Sequence, residues 1–223
     1  MCNLACIDFA RRRLGREDVW GKRVLEVGSR AVQSPDLTLR PVLSSLEPSF
    51  LLGVDAIAGP GVDRILDAGD LVRELGPNSF DVVVCAEVVE HVRDWRRVFH
   101  NLKGVLRPGG VLLLTTRSPG FPYHAWPHDY WRYNADDLRG ILSDLRIEAI
   151  EADPSAPGVL VQARKPLDFA ERDPGALRLS TVVGGRRRRR PPSRPRVLLH
   201  RFAVRARHAT RAAVERVAPS RAS

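Results

Sequence analysis

Phe80-Asp81-Val82-Val83-Val84-Cys85 is the most strand-like stretch of the chain, β-branched and nearly continuous in its apolar residues. A strand without polar alternation is buried on both faces, as strands are in a parallel sheet covered by helices. The same signature recurs on either side. Upstream, Val24-Leu25-Glu26-Val27 runs into Gly28, Phe50-Leu51-Leu52-Gly53-Val54 into Asp55, and Arg64-Ile65-Leu66 into Asp67. Downstream, Arg107-Pro108-Gly109-Gly110 turns into an apolar strand over 111–116, and 147–150 with 159–163 read as a closing pair.

Helical stretches alternate with these strands. Residues 41–46 and 71–75 are short ones, and a longer one lies over 6–19. Asp94 caps a helix in which Trp95, Val98, Leu102 and Val105 recur at three- and four-residue steps, and Asn134 caps another reaching Leu145. The expected fold class is therefore α/β: a Rossmann-like, seven-stranded, mostly parallel sheet with helices on both faces and an antiparallel C-terminal strand pair.

Composition places the remaining charge. The formal net charge is +10, but the stretch from Gly184 to Ser223 holds 13 Arg against the single acid Glu215, leaving a slightly acidic body. Four segments follow: an N-terminal helix over 1–20, a ligand-binding domain over 21–167, a linker with an Arg run over 168–195 expected to be disordered, and a basic amphipathic tail over 196–223. In that tail Leu198, Phe202, Ala206, Ala209, Ala213 and Val217 share one helical face. Such a stretch makes weak contact with an anionic membrane or nucleic acid, or is simply a solvated tail in an Arg-rich chain. No obligate protein partner is implied. There is no apolar run of about 18 residues. Cys2, Cys6 and Cys85 form no disulfide framework, so a cytoplasmic protein is expected.

Ligands of such sheets bind just beyond the carboxyl ends of the strands. Those positions hold Gly28-Ser29, Asp55-Ala56, Asp67-Ala68, Cys85-Ala86-Glu87 and Thr116-Arg117. Repeated acids disfavour an anion and suit a ligand with hydroxyls, amines and a cationic centre. A dinucleotide needs Gly-x-Gly-x-x-Gly to seat its pyrophosphate, and Gly28-Ser29-Arg30-Ala31-Val32-Gln33 lacks two of those glycines.

From about Lys22 to Lys165 the chain resembles the class I S-adenosylmethionine (SAM)-dependent methyltransferases, in particular the type 11 group. The resemblance rests on Val24-Leu25-Glu26-Val27-Gly28, Gly53-Val54-Asp55, Asp67-Ala68, Ser79-Phe80-Asp81-Val82-Val83-Val84, Glu87-Val88-Val89-Glu90-His91 and Leu106-Arg107-Pro108-Gly109-Gly110. It implies SAM as cofactor, with Gly28 and Ser29 beside the methionine part and Glu26 anchoring the loop or reaching the amine. Asp55, with Ala56, would accept the ribose hydroxyls. Asp67 would accept the adenine amino group while Ala68 reads the ring edge. The backbone at Cys85, Ala86 and Glu87 would face the methionine amine. Gly28-Ser29-Arg30 departs from the Gly-x-Gly common in the group.

The aromatic-rich segment over 121–133 resembles one that lies across the active site in similar enzymes. It makes His124, with Asp129, the first candidate for a general base, and His91 a second. Tyr130, Trp131, Tyr133 and Arg132 either touch the acceptor or brace the loop. The expected function is methyl transfer to an oxygen or nitrogen of a small molecule or glycan. A catalytically silent SAM-fold binding protein and a nucleic-acid methyltransferase recruited by the tail are the alternatives. No metal centre is expected.

Overall fold

Asn3 opens the first element by accepting a hydrogen bond from the backbone N–H of Cys6 at 3.0 Å, capping α1 (Leu4–Arg13). The computed structural model describes residues 3–32, 34, 37–124 and 128–217. The helix expected over 6–19 is two helices, because Gly15 breaks it before α2 (Arg16–Val19). There follow β1 (Arg23–Val27), α3 (Arg40–Ser45), β2 (Phe50–Asp55), β3 (Arg64–Ile65), α4 (Leu71–Leu75), β4 (Phe80–Ala86), α5 (Trp95–Val105) and β5 (Leu106–Arg117). The chain then forms β6 (Trp131–Arg132), α6 (Ala135–Ile141), β7 (Arg146–Ala152), β8 (Gly158–Arg164), β9 (Leu179–Thr181), β10 (Arg187–Arg188) and α7 (Arg194–Val217).

The main sheet has the order β3-β2-β1-β4-β5-β8-β7. All neighbours are parallel except at β8, which runs against both β5 and β7. The expected seven-stranded sheet is present. Helix alternation lapses between β2 and β3, where 56–63 crosses as turns, and between the antiparallel pair β7 and β8. Strand order reverses between β1 and β4, so a crevice opens beyond their carboxyl ends.

Alternate residues of β4 feed two separate cores. Val83 and Cys85 pack with Leu25, Val27, Trp95, Phe99 and Leu102, whereas Val82 and Val84 pack with Val24, Cys6, Phe9 and Leu43. The period of two along the strand thus explains why its apolar run is unbroken.

The segment over 168–195 is not the disordered linker its composition suggests. β9 pairs with β6 and with β10 in a second, antiparallel sheet, and Arg187 forms an ion pair with buried Asp137 at the start of α6. The backbone N–H of Val182 donates to the carbonyl of Tyr130 at 3.0 Å. Two- and three-residue strands leave no periodic trace, and the Arg run hides them. Beyond them Val197 of α7 is buried in the first core, while Leu198, Leu199 and Phe202 are exposed.

Within the interior, the Lys103 ammonium donates to Asp144 Oδ2 at 2.8 Å and to the carbonyl of Ile141 at 2.7 Å. Their side chains are 2% and 0% exposed, so removing one partner strands a desolvated charge. Lys103→Ala is expected to cost about 3–5 kcal/mol of folding stability, read as a lowered urea midpoint.

Candidate functional site

Beyond the β1/β4 crevice lies a cavity of about 440 Å³, a size suited to a small-molecule ligand. Its lining includes Glu26, Gly28, Asp55, Ala56, Asp67, Ala68, Ala86 and Glu87. Eight of the ten residues expected at the cofactor therefore meet at one place. Ser29 and Cys85 are not among the lining residues. The Cys85 side chain belongs to the core, where burial pushes its thiol far up. Ser29 is buried behind the loop with no hydrogen bond to its hydroxyl.

Gly28 sits at φ +80°, and a Cβ there would lie 2.2 Å from a methyl of Val88 and 3.2 Å from the carbonyl of Ala86. Only glycine allows β1 to turn so close to the end of β4. The departure at Ser29-Arg30 is matched across the crevice. Gly61, at φ +87°, approaches so closely that a Cβ would stand 2.5 Å from the Ser29 carbonyl, and Ala31 N–H donates to Pro60 at 2.9 Å. The close approach usual for two glycines in one loop is here supplied by the facing loop.

The acids fall into two kinds. Asp55 and Asp67 each use Oδ1 to accept a backbone N–H two residues on, from Ile57 at 2.9 Å and Gly69 at 2.7 Å. Each turn is thereby fixed, with the carboxylate held at the cavity wall. Glu26 differs: it is 4% exposed, its Oε2 accepts no hydrogen bond, and burial raises its pKa to about 7, against the pull of Arg40 and with a push from Asp63. Such a carboxylate awaits a cationic or donor partner.

On the other side, Glu87 adopts a left-handed conformation at φ 57° as it leaves β4. Its carboxylate pairs with the Arg117 guanidinium and accepts the Thr115 hydroxyl at 3.0 Å. Burial and nearby Glu90 raise its pKa against that pairing. Arg117 also reaches Asp153 at 3.1 Å, and Asp153 accepts from the capping residue Asn3 at 2.7 Å. The N-terminal helix is thus tied to the site.

His91 lines the cavity; His124 and Asp129 are not among its lining residues. The Asp129 carboxylate grips Arg132 through two hydrogen bonds, at 2.5 and 2.7 Å, and accepts His124 Nδ1 at 3.1 Å. Burial lowers the affinity of His124 for a proton, but the hydrogen bond to Asp129 and the nearby Glu90 carboxylate, 3.7 Å away, outweigh it and hold its pKa at about 9. A charged imidazole donates rather than abstracts, which weighs against His124 as general base near neutral pH. Burial lowers the His91 pKa. Trp131 and Tyr133 are fully buried, and each donates to a backbone carbonyl, of Val92 at 2.9 Å and Val89 at 3.0 Å. Those two and Arg132 brace the loop. Tyr130 and His128 reach the cavity wall. Trp126 lies outside the described residues. Sequence reasoning set Arg117 at a strand end without a role and missed Arg97; both enter through their ion pairs.

A methyltransferase domain family matches residues 59–114. A ubiquinone biosynthesis O-methyltransferase of Pseudomonas syringae pv. tomato is 32% identical over 114 residues, covering 47% of this chain and 49% of that protein. A SAM-dependent methyltransferase from Mesorhizobium loti superposes with TM-score 0.54 at 19% identity, over 72% of this chain and 98% of that one. The 1,6-didemethyltoxoflavin-N1-methyltransferase of Burkholderia thailandensis, solved with S-adenosylhomocysteine, gives TM-score 0.57 at 14% identity, over 73% and 79%. Residues 59–114 are thus similar to a methyltransferase domain, and the fold is that of solved SAM-dependent methyltransferases. The chain spans about half the length of the curated relatives it matches. S-adenosylhomocysteine is bound in the Burkholderia thailandensis enzyme. An unpaired buried carboxylate, a cradle that a Cβ would fill and two acids at neighbouring strand ends fit a nucleoside sulfonium bearing an amine.

A protonated native Glu26 and an ionised unfolded one make stability fall as pH rises from about 4.5 to 7. Glu26→Gln is expected to remove that loss and to be more stable than the parent by about 3 kcal/mol at pH 8, with little difference at pH 5. Denaturant melts at the two pH values check this.

Proposed function

We propose that the domain transfers the SAM methyl group to an oxygen or nitrogen of a small molecule or glycan, with a hydroxyl the favoured acceptor. The single observation carrying the cofactor side of this reading is the meeting of Glu26, Asp55 and Asp67 in one cavity. Bound SAM supplies a methyl carbon on a positively charged sulfur, an excellent leaving group. Glu26 would hold the ligand amine, Asp55 the ribose hydroxyls and Asp67 the adenine amino group, with the Ala68 backbone at the ring edge. Gly28 and the backbone of Ala86 keep the floor of the cavity free of side chains. With the leaving group already activated, the chain's task is to align the acceptor and exclude water.

His91, His128 and Tyr130 line the cavity where the acceptor would lie. His91 is the best-placed catalytic candidate of the three named from the sequence, because it alone of them lines the cavity. The hydroxyl preference is supported by the O-methyltransferase names of the curated relatives.

For the tail, exposed Leu198, Leu199 and Phe202 (44%, 69% and 65%) beside exposed Arg196 favour an anionic lipid surface over nucleic acid. Among the described residues no helix is long and apolar enough to cross a membrane.

Calorimetry with SAM is expected to give one site in the intact chain and at least about tenfold weaker binding in Asp55→Ala, from lost hydrogen bonds of roughly 1.5 kcal/mol or more. No heat with the intact protein sinks the reading. Sedimentation with phosphatidylglycerol vesicles is expected to carry the chain down at low salt, and Phe202→Glu is expected to leave most of it in solution.

A further inference from the structure

Behind the His91 wall three side chains turn their free atoms on one another. Glu90 is fully buried; its Oε2 accepts the Thr116 hydroxyl at 2.9 Å, and its Oε1 accepts no hydrogen bond. His91 Nδ1 lies 2.6 Å from the carbonyl of His128, which fixes the proton there and leaves Nε2 with a lone pair. His124 Nδ1 is held by Asp129, and its buried Nε2 also makes no hydrogen bond. Nε2 of His91 lies 3.8 Å from Glu90 Oε1, and Nε2 of His124 lies 3.7 Å from it. All three ligand atoms fall within 4.8 Å of one another.

Ligands about 2.1 Å from a tetrahedral ion stand roughly 3.4 Å apart, so side-chain shifts of a few tenths of an ångström to about one would close the set. Each far atom is already oriented by a carbonyl, a carboxylate or a hydroxyl, the arrangement that fixes metal-binding imidazoles and carboxylates. Two imidazoles and one carboxylate match the donor preference of zinc-class divalent cations and leave coordination positions open.

We propose that Glu90, His91 and His124 bind one divalent cation of the zinc class just behind the His91 wall of the cavity. The site is assembled from two distant segments, the turn after β4 and the loop before β6, which is why no ligand spacing announces it. For its role the proposal rests on the methyl-transfer reading: an acceptor hydroxyl taking an open position gives up its proton to water more readily. The competing occupant of the same gap is a proton on His124, shared between Glu90 and Asp129.

The test is a Co²⁺ titration of the full chain at pH 7.5, followed by visible absorption, with Zn²⁺ competing it out. One equivalent bound, with d–d bands in the visible, is expected. Glu90→Gln, which keeps a hydrogen-bonding group for Thr116, and His124→Ala are each expected to weaken binding roughly 100-fold or more, and Asp129→Ala by about 10- to 100-fold. His100→Ala, at an exposed imidazole paired with Glu171, is expected to change nothing. SAM calorimetry on the same variants checks that they are folded. Absence of one-equivalent binding, or His124→Ala binding as the parent does, overturns the metal site. SAM binding without metal defeats this proposal alone, and metal binding without SAM defeats the methyl-transfer reading alone.

Discussion

The carboxyl end of the sheet gathers negative charge where little water reaches, and much of the surrounding structure serves to neutralise it. Glu26, Glu87, Glu90 and Asp129 are all buried, at 4%, 4%, 0% and 0% exposure. Each buried ion without a partner costs several kcal/mol. Arg117 answers Glu87 and is shared with Asp153; Arg132 clamps Asp129; Thr116 and two imidazoles face Glu90. Glu26 lines the cavity, and its buried Oε2 accepts no hydrogen bond. Where the fold leaves charge unanswered is where a charged ligand completes it.

This neutralisation also explains elements that serve no catalytic purpose of their own. Asn3 caps α1 and at the same time holds Asp153, so the N-terminal helix orients the acid that orients Arg117. β9 covers β6, and β6 contains Arg132. Without that small sheet the Asp129–Arg132 pair would meet water, and its hold on His124 would weaken. The C-terminal segment therefore belongs to the site's support, although its composition is that of a tail.

Much of the fold was legible because it depends on apolar period. Phe80 to Cys85, Val24 to Val27 and Leu71 to Leu75 all form the elements their patterns require, and Asp94 and Asn134 cap the helices they precede. The cavity wall was legible for the same reason: strand ends fix where Asp55 and Asp67 fall. What escaped depends on side-chain direction. Cys85 has the right position in sequence, but the two-residue alternation of β4 sends its side chain into the core and leaves Ala86 at the cavity. The compensation of Ser29-Arg30 by Gly61 was equally invisible, because the two loops meet only in the folded sheet.

The same distinction governs the two histidines. Motif position makes His124 the more prominent, yet Asp129 and Glu90 draw it behind the wall and keep its proton on. His91 is tied through Nδ1 to the His128 carbonyl and lines the cavity, with burial outweighing the Glu90 carboxylate 3.8 Å from its Nε2. His91, His128 and Tyr130 line the cavity, while Trp131 and Tyr133 are buried as fixed packing. Rigidity below and a held imidazole above is the arrangement alignment needs, since a displacement of about 1 Å in a reacting group can cost 100-fold in rate. Chemistry at this end of the cavity is set by what Glu90 and the two imidazoles hold between them, a proton or a cation.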